Sequence, residues 1–438
     1  MDRLSLLVFA LAVLFWLLVG SDRLRAKRPD WHWYVTGYPR TALRVLLTWR
    51  KVAHLNDLTV SHKPNRRLLG VLAVKGDPLR THTPRCSFPH PTPNGLSLRV
   101  RLYAGQTPAP FLAAADALVH AWKVHAVRVV SPERGIVLIT ATASDPLASP
   151  NRTTGEVSGS LLSAVVGALE TGHAWLMDFR RVPHWLIVGA TQSGKSTLIA
   201  RLISELAPQP VALVGVDCKG GMELGLFQRR LSALATCRTE AIALLGALVV
   251  DMQDRMRLCR MAGARSIWDL PEKERPVPVV VVVDELAELY LTNGSREQRA
   301  EAEQCSTYLL RLAQLGAALG MHLVVAGQRV GSGLGPGVTA LRAQLGGRIC
   351  HRVNDPGTAE MALGDLNKDA VTVAQSISEA EQGVAVTTGE LGGWMRGRSH
   401  MTTPSEAQAT ASEYAGMAPR LGGVVRALED LEGGDAHE

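Results

Sequence analysis

The residues with the clearest chemical potential lie in a glycine-rich loop. Residues 189–196 fit the pattern G-x-x-x-x-G-K-[ST]. In this pattern backbone N–H groups cradle phosphates, the lysine reaches the β and γ oxygens, and the next hydroxyl ligates Mg²⁺. The sequence therefore predicts a site for ATP and Mg²⁺, with Ser196 as a metal ligand. The predicted contact residues are Gly189, Ala190, Thr191, Gln192, Ser193, Gly194, Lys195, Ser196 and Thr197.

Two acidic residues follow a run of valines further along the chain. Residues 279–283 are five consecutive valines, and Asp284 and Glu285 come directly after them. A continuous β-branched run is typical of a buried parallel strand, and ligands bind at the carboxyl ends of such strands. We therefore expect Asp284 to hold Mg²⁺ through its water shell and Glu285 to polarise the attacking water. The alternative, two solvated acids that cap a helix, is disfavoured by the upstream glycine-rich loop.

A polar residue also follows a later predicted strand. Residues 322–326 read as a buried strand, and Gln328 comes two positions after it. Its side chain could contact the γ-phosphate or the attacking water and report the nucleotide state. The alternative is a polar strand end that faces solvent.

The elements that must position these residues have the order of an α/β protein. Strand, glycine-rich loop and helix follow one another as the motif requires. The predicted strands are residues 184–188, 211–216, 278–283, 322–326 and 347–353, and the helix after the loop is residues 197–207. This alternation predicts a parallel sheet of the RecA-like P-loop type, in which several strand ends meet at one nucleotide.

A smaller α/β domain is predicted upstream, over residues 57–150. It would contain a strand at 96–103, a helix at 109–122, and a hairpin of residues 126–130 and 135–140. The segment 146–159 is rich in Ser, Thr, Gly and Pro, which is typical of a connector. The residues of this domain form no recognisable chemical constellation.

The N-terminus carries the pattern of a membrane segment. Residues 4–20 form a 17-residue apolar run broken only by Ser5, and four basic residues follow at positions 23–28. No A-x-A site follows the run, so a retained helix over residues 1–20 is favoured over a cleaved signal peptide. The basic residues place the body of the chain at the cytoplasmic face of the cell membrane. In the basic segment 21–56 that follows, residues 41–55 predict a helix that lies on anionic lipid or packs on the next domain.

Composition limits the classes of protein. The chain has 438 residues, 46% hydrophobic and 20% charged, which is a globular composition of two or three domains. Its net charge of +7 is uneven, because residues 21–52 carry eight basic and two acidic residues whereas residues 403–438 carry seven acidic and two basic. None of the six cysteines forms a C-x-x-C pair, which argues against a zinc ribbon or a disulfide scaffold. The mild basicity between these segments is compatible with nucleic acid.

Four segments occur in a fixed order: Val182–Ser196, Asp217–Leu224, Asp284–Leu289 and Gly320–Arg329. In these segments the chain resembles the FtsK/SpoIIIE family of hexameric double-stranded DNA translocases, over about residues 170–400. The upstream α/β unit resembles the smaller domain of that family. The N-terminal region resembles the actinobacterial conjugative-element branch, which moves plasmid DNA between cells as duplex.

The resemblance implies roles beyond those argued from the residues alone. It implies ATP hydrolysis coupled to translocation of double-stranded DNA by a homo-oligomeric, hexameric ring, in conjugative transfer. Gln328 would be a sensor, and Arg348 would be an arginine finger supplied to the neighbouring subunit. The ATPase motor would occupy residues 151–402, followed by an acidic tail over 403–438. Gln192 replaces a glycine of the family pattern and is expected to fit if its φ is negative.

Three other functions are weighed against this one. A chromosome-segregation translocase would use the same chemistry, and related ATPases energise specialised protein secretion. The secretion ATPases usually carry tandem modules, whereas one P-loop is found here. A nucleotide-gated scaffold that does not turn over is disfavoured, because Lys195 and Glu285 are both present.

Overall fold

The computed structural model describes residues 32–62, 80–145, 147–148, 160–364, 368–388 and 393–435. The predicted membrane segment, residues 4–20, lies outside the described residues, as does most of the predicted connector. Among the helices that are described, none combines the length and the apolar character needed to cross a membrane. The chain divides into two compact units, residues 1–148 with 170–173, and residues 149–169 with 174–438.

The first unit combines a sheet with packed helices. Its helices are α1 (Tyr38–Leu55), α2 (Ala109–Ala113) and α3 (Ala115–Trp122). Its strands are β1 (Val60–His62), β2 (Arg80–His82), β3 (Arg85–Cys86), β4 (His90–Thr92), β5 (Gly95–Arg101), β6 (Ala126–Glu133) and β7 (Ile136–Thr142). β1 pairs with β2, and the sheet order is β3-β5-β7-β6 with β4 also on β5. The predicted hairpin is confirmed as β6 and β7, whereas the single predicted helix over 109–122 is divided at Ala114.

Helix α1 belongs to the core of this unit. Its inward face, with Val45 and Trp49, is buried in one cluster with Leu98, Leu118 and Trp122. Residues 41–55 were expected to lie on anionic lipid or to pack on the next domain. One face of the helix therefore shows the predicted packing. The opposite face is exposed.

The second unit is built on one sheet of ten strands. The strands are β8 (Ser163–Leu169), β9 (Ala174–Asp178), β10 (His184–Val188), β11 (Ala212–Val216), β12 (Ala233–Ala235), β13 (Val279–Val283), β14 (Met321–Gly327), β15 (Gly347–His351), β16 (Val384–Thr388) and β17 (Trp394–Ser399). Their order is β12-β11-β13-β14-β10-β15-β16-β17-β8-β9. The first six run parallel, and all of them except β12 were predicted. The last four are antiparallel. The sheet is therefore mixed rather than purely parallel.

Helices cover the sheet and complete the unit. They are α4 (Lys195–Leu206), α5 (Arg238–Met261), α6 (Arg296–Leu315), α7 (Val338–Gln344), α8 (Pro356–Leu363), α9 (Lys368–Ser376), α10 (Pro404–Glu413) and α11 (Gly422–Asp435). All five residues of β10 and of β13 are buried, which is why both segments read as continuous apolar runs.

The predicted acidic tail is folded over its described part. α10 buries Ala407 and Ala411 in the same core cluster as the central strands, and α11 packs against α5. Residues 403–435 thus belong to the second unit by contact instead of forming a separate tail.

Candidate nucleotide site

The glycine-rich loop joins β10 to α4 in the conformation that a phosphate cradle needs. A Cβ atom on Gly189 would lie 2.5 Å from Ser193 Oγ. Gly194 has φ +111° at the N-cap of α4, and a Cβ there would lie 2.6 Å from the Cα of Gly383. Both positions therefore require glycine. The first-turn N–H groups of α4 have no acceptors within the helix and face an anion favourably.

Gln192 departs from the expectation drawn from the sequence. Its φ is +60°, in the left-handed region that glycine adopts freely, so the condition of a negative φ is not met. The loop keeps its shape although the side chain brings a Cβ atom into this region. The side chain is exposed and lines the cavity described below.

The two predicted acids lie where the parallel strands end. Asp284 and Glu285 follow β13 and are only 4% and 7% exposed. Strand β14 lies between β10 and β13, so its end meets both the loop and the acids. The backbone N–H of Gln328 donates to Glu285 Oε1 at 3.2 Å, and a Cβ on Gly327 would lie 3.1 Å from the same oxygen.

The other oxygen of Glu285 faces cations. Oε2 is buried without a hydrogen-bond partner and lies 3.8 Å from Lys195 Nζ. Lys219, from the loop after β11, places its Nζ 3.5 Å from the same oxygen and 3.7 Å from Asp284 Oδ2. Two ammonium groups and two carboxylates thus form one cluster.

Burial governs the protonation of this cluster. It raises the pKa of Asp284 to about 6 against the opposing effect of the Lys219 charge. Burial also lowers the pKa of Lys195, despite the nearby carboxylates of Glu285 and Asp284. The pKa of Lys219 is lowered by burial but raised more by Asp284 and Glu285 together, so its net shift is upward.

Lys195, Lys219 and Asp284 of this cluster line a cavity of about 670 Å³ at the ends of the strands. Lys195, Ser196, Asp284 and Gln328, all predicted from the sequence, share this cavity. A hydroxyl beside one carboxylate suits Mg²⁺, which binds through one or two carboxylates together with substrate phosphates. No group of three or more His, Cys, Asp or Glu side chains in the described part of the chain could hold a metal by itself. The residues present therefore fit a metal that arrives with the nucleotide.

Part of the lining was missed by the sequence analysis. The missed residues are Lys219, Met222, Glu223, Gln382, Gly383, Arg398, Ser399 and Met401. A signal existed for the first three, because residues 217–224 had been recognised as a family segment. The others come from the antiparallel strands β16 and β17 and their flanks, which carry no motif.

The structure places Arg348 away from this cavity. Its side chain is 6% exposed, and Nη2 donates to the carbonyl of Arg342 at 2.7 Å. An arginine finger must extend from its own subunit into the site of the next one. In the single chain Arg348 is buried and its visible contact ties β15 to α7, so its role as a finger for a neighbouring subunit stays a prediction.

Comparison with known proteins identifies the family. A model of the actinomycete conjugal transfer protein N-terminal domain matches residues 19–143. The FtsK/SpoIIIE family model matches residues 151–275 and 269–332. The transfer protein TraSA of Streptomyces ambofaciens is 41% identical over 389 residues, which is 86% of this chain and 93% of TraSA. The chain belongs to the actinomycete conjugal transfer branch of the FtsK/SpoIIIE family. It is a P-loop ATPase.

Relatives outside this branch share only part of the chain. The DNA translocase FtsK of Campylobacter jejuni is 28% identical over 225 residues, which is 48% of this chain and 23% of that protein. Among solved structures, the pCW3 conjugation coupling protein TcpA, in its monomer form with ATPgS, has a TM-score of 0.55 at 21% identity. It covers 77% of this chain and 94% of that one, and this likeness concerns the fold.

Proposed function

We propose that the chain hydrolyses ATP with Mg²⁺ to move double-stranded DNA during conjugal transfer, as a hexameric ring at the cytoplasmic membrane. The observation that carries the proposal is the similarity to TraSA over 93% of the length of that transfer protein. Lys195, Asp284 and Gln328 line one cavity, and Glu285 contacts both Lys195 and the Gln328 backbone. DNA translocase FtsK is a relative by sequence, which supports DNA as the substrate that is moved.

Each residue of the site has a separate role in the proposed hydrolysis. The N-terminus of α4 and Lys195 bind the phosphates, and Ser196 and Asp284 would hold the metal. Glu285 orients the attacking water and accepts its proton, while the Gln328 N–H keeps the carboxylate in place. A metal held by Ser196 and Asp284 would supply positive charge that stabilises the transferring phosphoryl group.

DNA-stimulated ATP hydrolysis tests the proposal. The full chain is expected to hydrolyse ATP faster with linear duplex than with single strands. Stimulation should fall steeply with salt, because phosphate contacts release counterions. Lys195→Ala should abolish turnover, whereas the same change at the exposed Lys273 should leave it intact. A rate of ATP hydrolysis that is the same with and without DNA would contradict the proposal and favour a secretion ATPase.

A mating assay separates conjugal transfer from chromosome segregation. We expect Lys195→Ala to abolish plasmid transfer while donor cells divide and segregate their chromosomes normally. Anucleate cells with normal transfer would favour the segregation function instead.

The outer face of α1 supports attachment to the membrane. Leu43, Leu47 and Leu55 are 57%, 73% and 70% exposed at helical spacing. The exposed Arg50 and Lys51 lie on the same face, and α1 contains no acidic residue. Such a face suits an anionic lipid surface, and the predicted helix over residues 1–20 would lead the chain to it.

Vesicle flotation tests this attachment. The full chain is expected to float with vesicles even in high salt. A chain without residues 1–30 should bind only anionic vesicles, and only in low salt, through α1. Leu43→Gln with Leu47→Gln should weaken this binding about tenfold. Leu112→Gln, which changes another exposed leucine of the first unit, should not. Loss of the full chain from vesicles in salt would contradict a retained anchor.

A further inference from the structure

The loop that carries Lys219 is held from one side by a single carboxylate. Asp217, at the end of β11, accepts hydrogen bonds from the N–H groups of Lys219, Glu223 and Leu224 at 3.3, 2.9 and 3.0 Å. Gly220 and Gly221 both have positive φ, +76° and +73°, which turns the chain back towards Asp217. The backbone of Lys219 is therefore fixed, and its four-carbon side chain is directed to the acids.

The surroundings of the Lys219 ammonium locate it at one end of the nucleotide site. Its Nζ lies 3.7 Å from Asp284 Oδ2 and 3.5 Å from Glu285 Oε2. In P-loop ATPases the metal held by the first acid bridges the β- and γ-phosphates, and the attacking water lies beside the γ-phosphoryl group. A cation within 4 Å of both acids therefore lies next to the terminal phosphate of bound ATP.

The contact between Lys219 and Asp284 competes with metal binding. A divalent cation on Asp284 repels an ammonium group that lies on the same carboxylate. The Lys219 side chain is 38% exposed, whereas the side chains of Asp284 and Glu285, taken without their backbone, are 5% and 6% exposed, so the lysine is the partner that can move. The oxygens of a terminal phosphate in this cavity would then offer the ammonium group a new anionic partner.

We propose that Lys219 leaves Asp284 when Mg·ATP binds, contacts the terminal phosphate, and so makes the site prefer ATP to ADP. ADP has no phosphate at this position, so Lys219 makes no contact with it and remains beside the two acids. Lys195 differs, because a P-loop lysine reaches the β- and γ-phosphates and serves both nucleotides. The proposal rests on the ATPase activity and is independent of DNA translocation.

Equilibrium binding without turnover tests the proposal. The full chain is titrated with Mg·ATPγS and with Mg·ADP in a calorimeter. Lys219→Met roughly keeps the length of the side chain and removes its charge. It should weaken the binding of Mg·ATPγS about tenfold or more, as expected for the loss of one charge-assisted hydrogen bond. Its affinity for Mg·ADP should change less than about twofold. Lys219→Arg should keep most of the preference for the triphosphate.

Two control variants separate this role from loop damage. Lys195→Met should weaken the binding of both nucleotides. Lys273→Met, at an exposed lysine outside the cavity, should leave both affinities unchanged. Equal loss of Mg·ATPγS and Mg·ADP in Lys219→Met would overturn the proposal, because it would indicate a collapsed loop. Unchanged affinity for both nucleotides would overturn it as well. The thermal unfolding midpoint of each nucleotide-free variant reports whether the chain is folded.

Discussion

The two carboxylate oxygens of Glu285 have different environments. Oε1 is held by the backbone N–H of Gln328, whereas Oε2 is buried near two ammonium groups without a hydrogen bond. One oxygen is thus used for positioning, and the other lies against the Lys195 and Lys219 ammonium groups. This division does not depend on the Gln328 side chain, because the positioning bond comes from its backbone.

Glu285→Gln should therefore separate binding from hydrolysis. The amide is nearly isosteric with the carboxylate but cannot accept a proton, so kcat should fall at least about 100-fold. The affinity for Mg·ATPγS should stay within a few-fold of the unaltered chain. Steady-state kinetics and calorimetry measure the two quantities. A variant with near-normal kcat would remove Glu285 from the reaction.

Gln192 stores backbone strain in the glycine-rich loop. A non-glycine residue at φ +60° costs about 1 kcal/mol, so Gln192→Gly should raise the free energy of unfolding by up to that amount. Urea denaturation of the nucleotide-free chain measures the change. The matched variant Gly194→Ala should have the opposite sign, because its Cβ would lie 2.6 Å from backbone atoms of Gly383. A destabilised Gln192→Gly would show that the side chain contributes contacts that outweigh the strain.

At the scale of elements, the two faces of α1 lie in different environments. Trp49, on the inner face, is 4% exposed, and its Nε1–H donates to the carbonyl of Pro84 at 2.9 Å. Leu47, two residues away, is 73% exposed. The helix is therefore a structural part of the first unit whatever its outer face contacts.

Trp49→Ala should destabilise the first unit by about 3–5 kcal/mol, as expected for a buried tryptophan. Leu47→Ala should change its stability by less than about 0.5 kcal/mol, because that side chain is largely in solvent. Hydrogen exchange of the amides of β5 and β7 in the full chain reports the stability of this unit. Equal effects of the two substitutions would mean that α1 is not docked.

At the scale of the whole molecule, three of the four histidines buried in the described part of the chain make folding strongly sensitive to acid. Burial lowers the pKa of His184 to about 4, of His322 to about 3 and of His351 to about 4. Each stays neutral in the folded chain at a pH where the unfolded chain, with histidine near 6.5, binds a proton. Their contribution to stability is complete above pH 6.5 and is lost as the pH falls towards 4. The raised pKa of Asp284 acts in the opposite direction, but it is one group against three.

The free energy of unfolding of the nucleotide-free chain should therefore decrease between pH 6.5 and 4, with up to three protons taken up on unfolding through these groups. His322→Leu should reduce that number by about one. Urea denaturation at a series of pH values measures the slope. A slope unchanged by His322→Leu would show that this histidine is already protonated in the folded state.

The sequence by itself determined what is local in the chain. The loop from Gly189 to Ser196 is contiguous, and its neighbours β10 and α4 are specified by their own apolar pattern, so motif and context are readable together. The buried valines before Asp284 identify a strand end in the same way. Five of the six parallel strands and the predicted hairpin follow from such local patterns, whereas the short β12 was not predicted.

Only the tertiary structure decided what depends on pairing between distant segments. Gly383 supports Gly194, and Arg398 lines the cavity, because β16 and β17 continue the sheet in antiparallel order beyond β15. The positive φ of Gln192, the burial of Arg348 and the contact of Lys219 with two acids likewise arise from packing across the sheet. Local pattern specifies which segments become strands and helices, whereas contacts between segments far apart in the chain specify which side chains share the site.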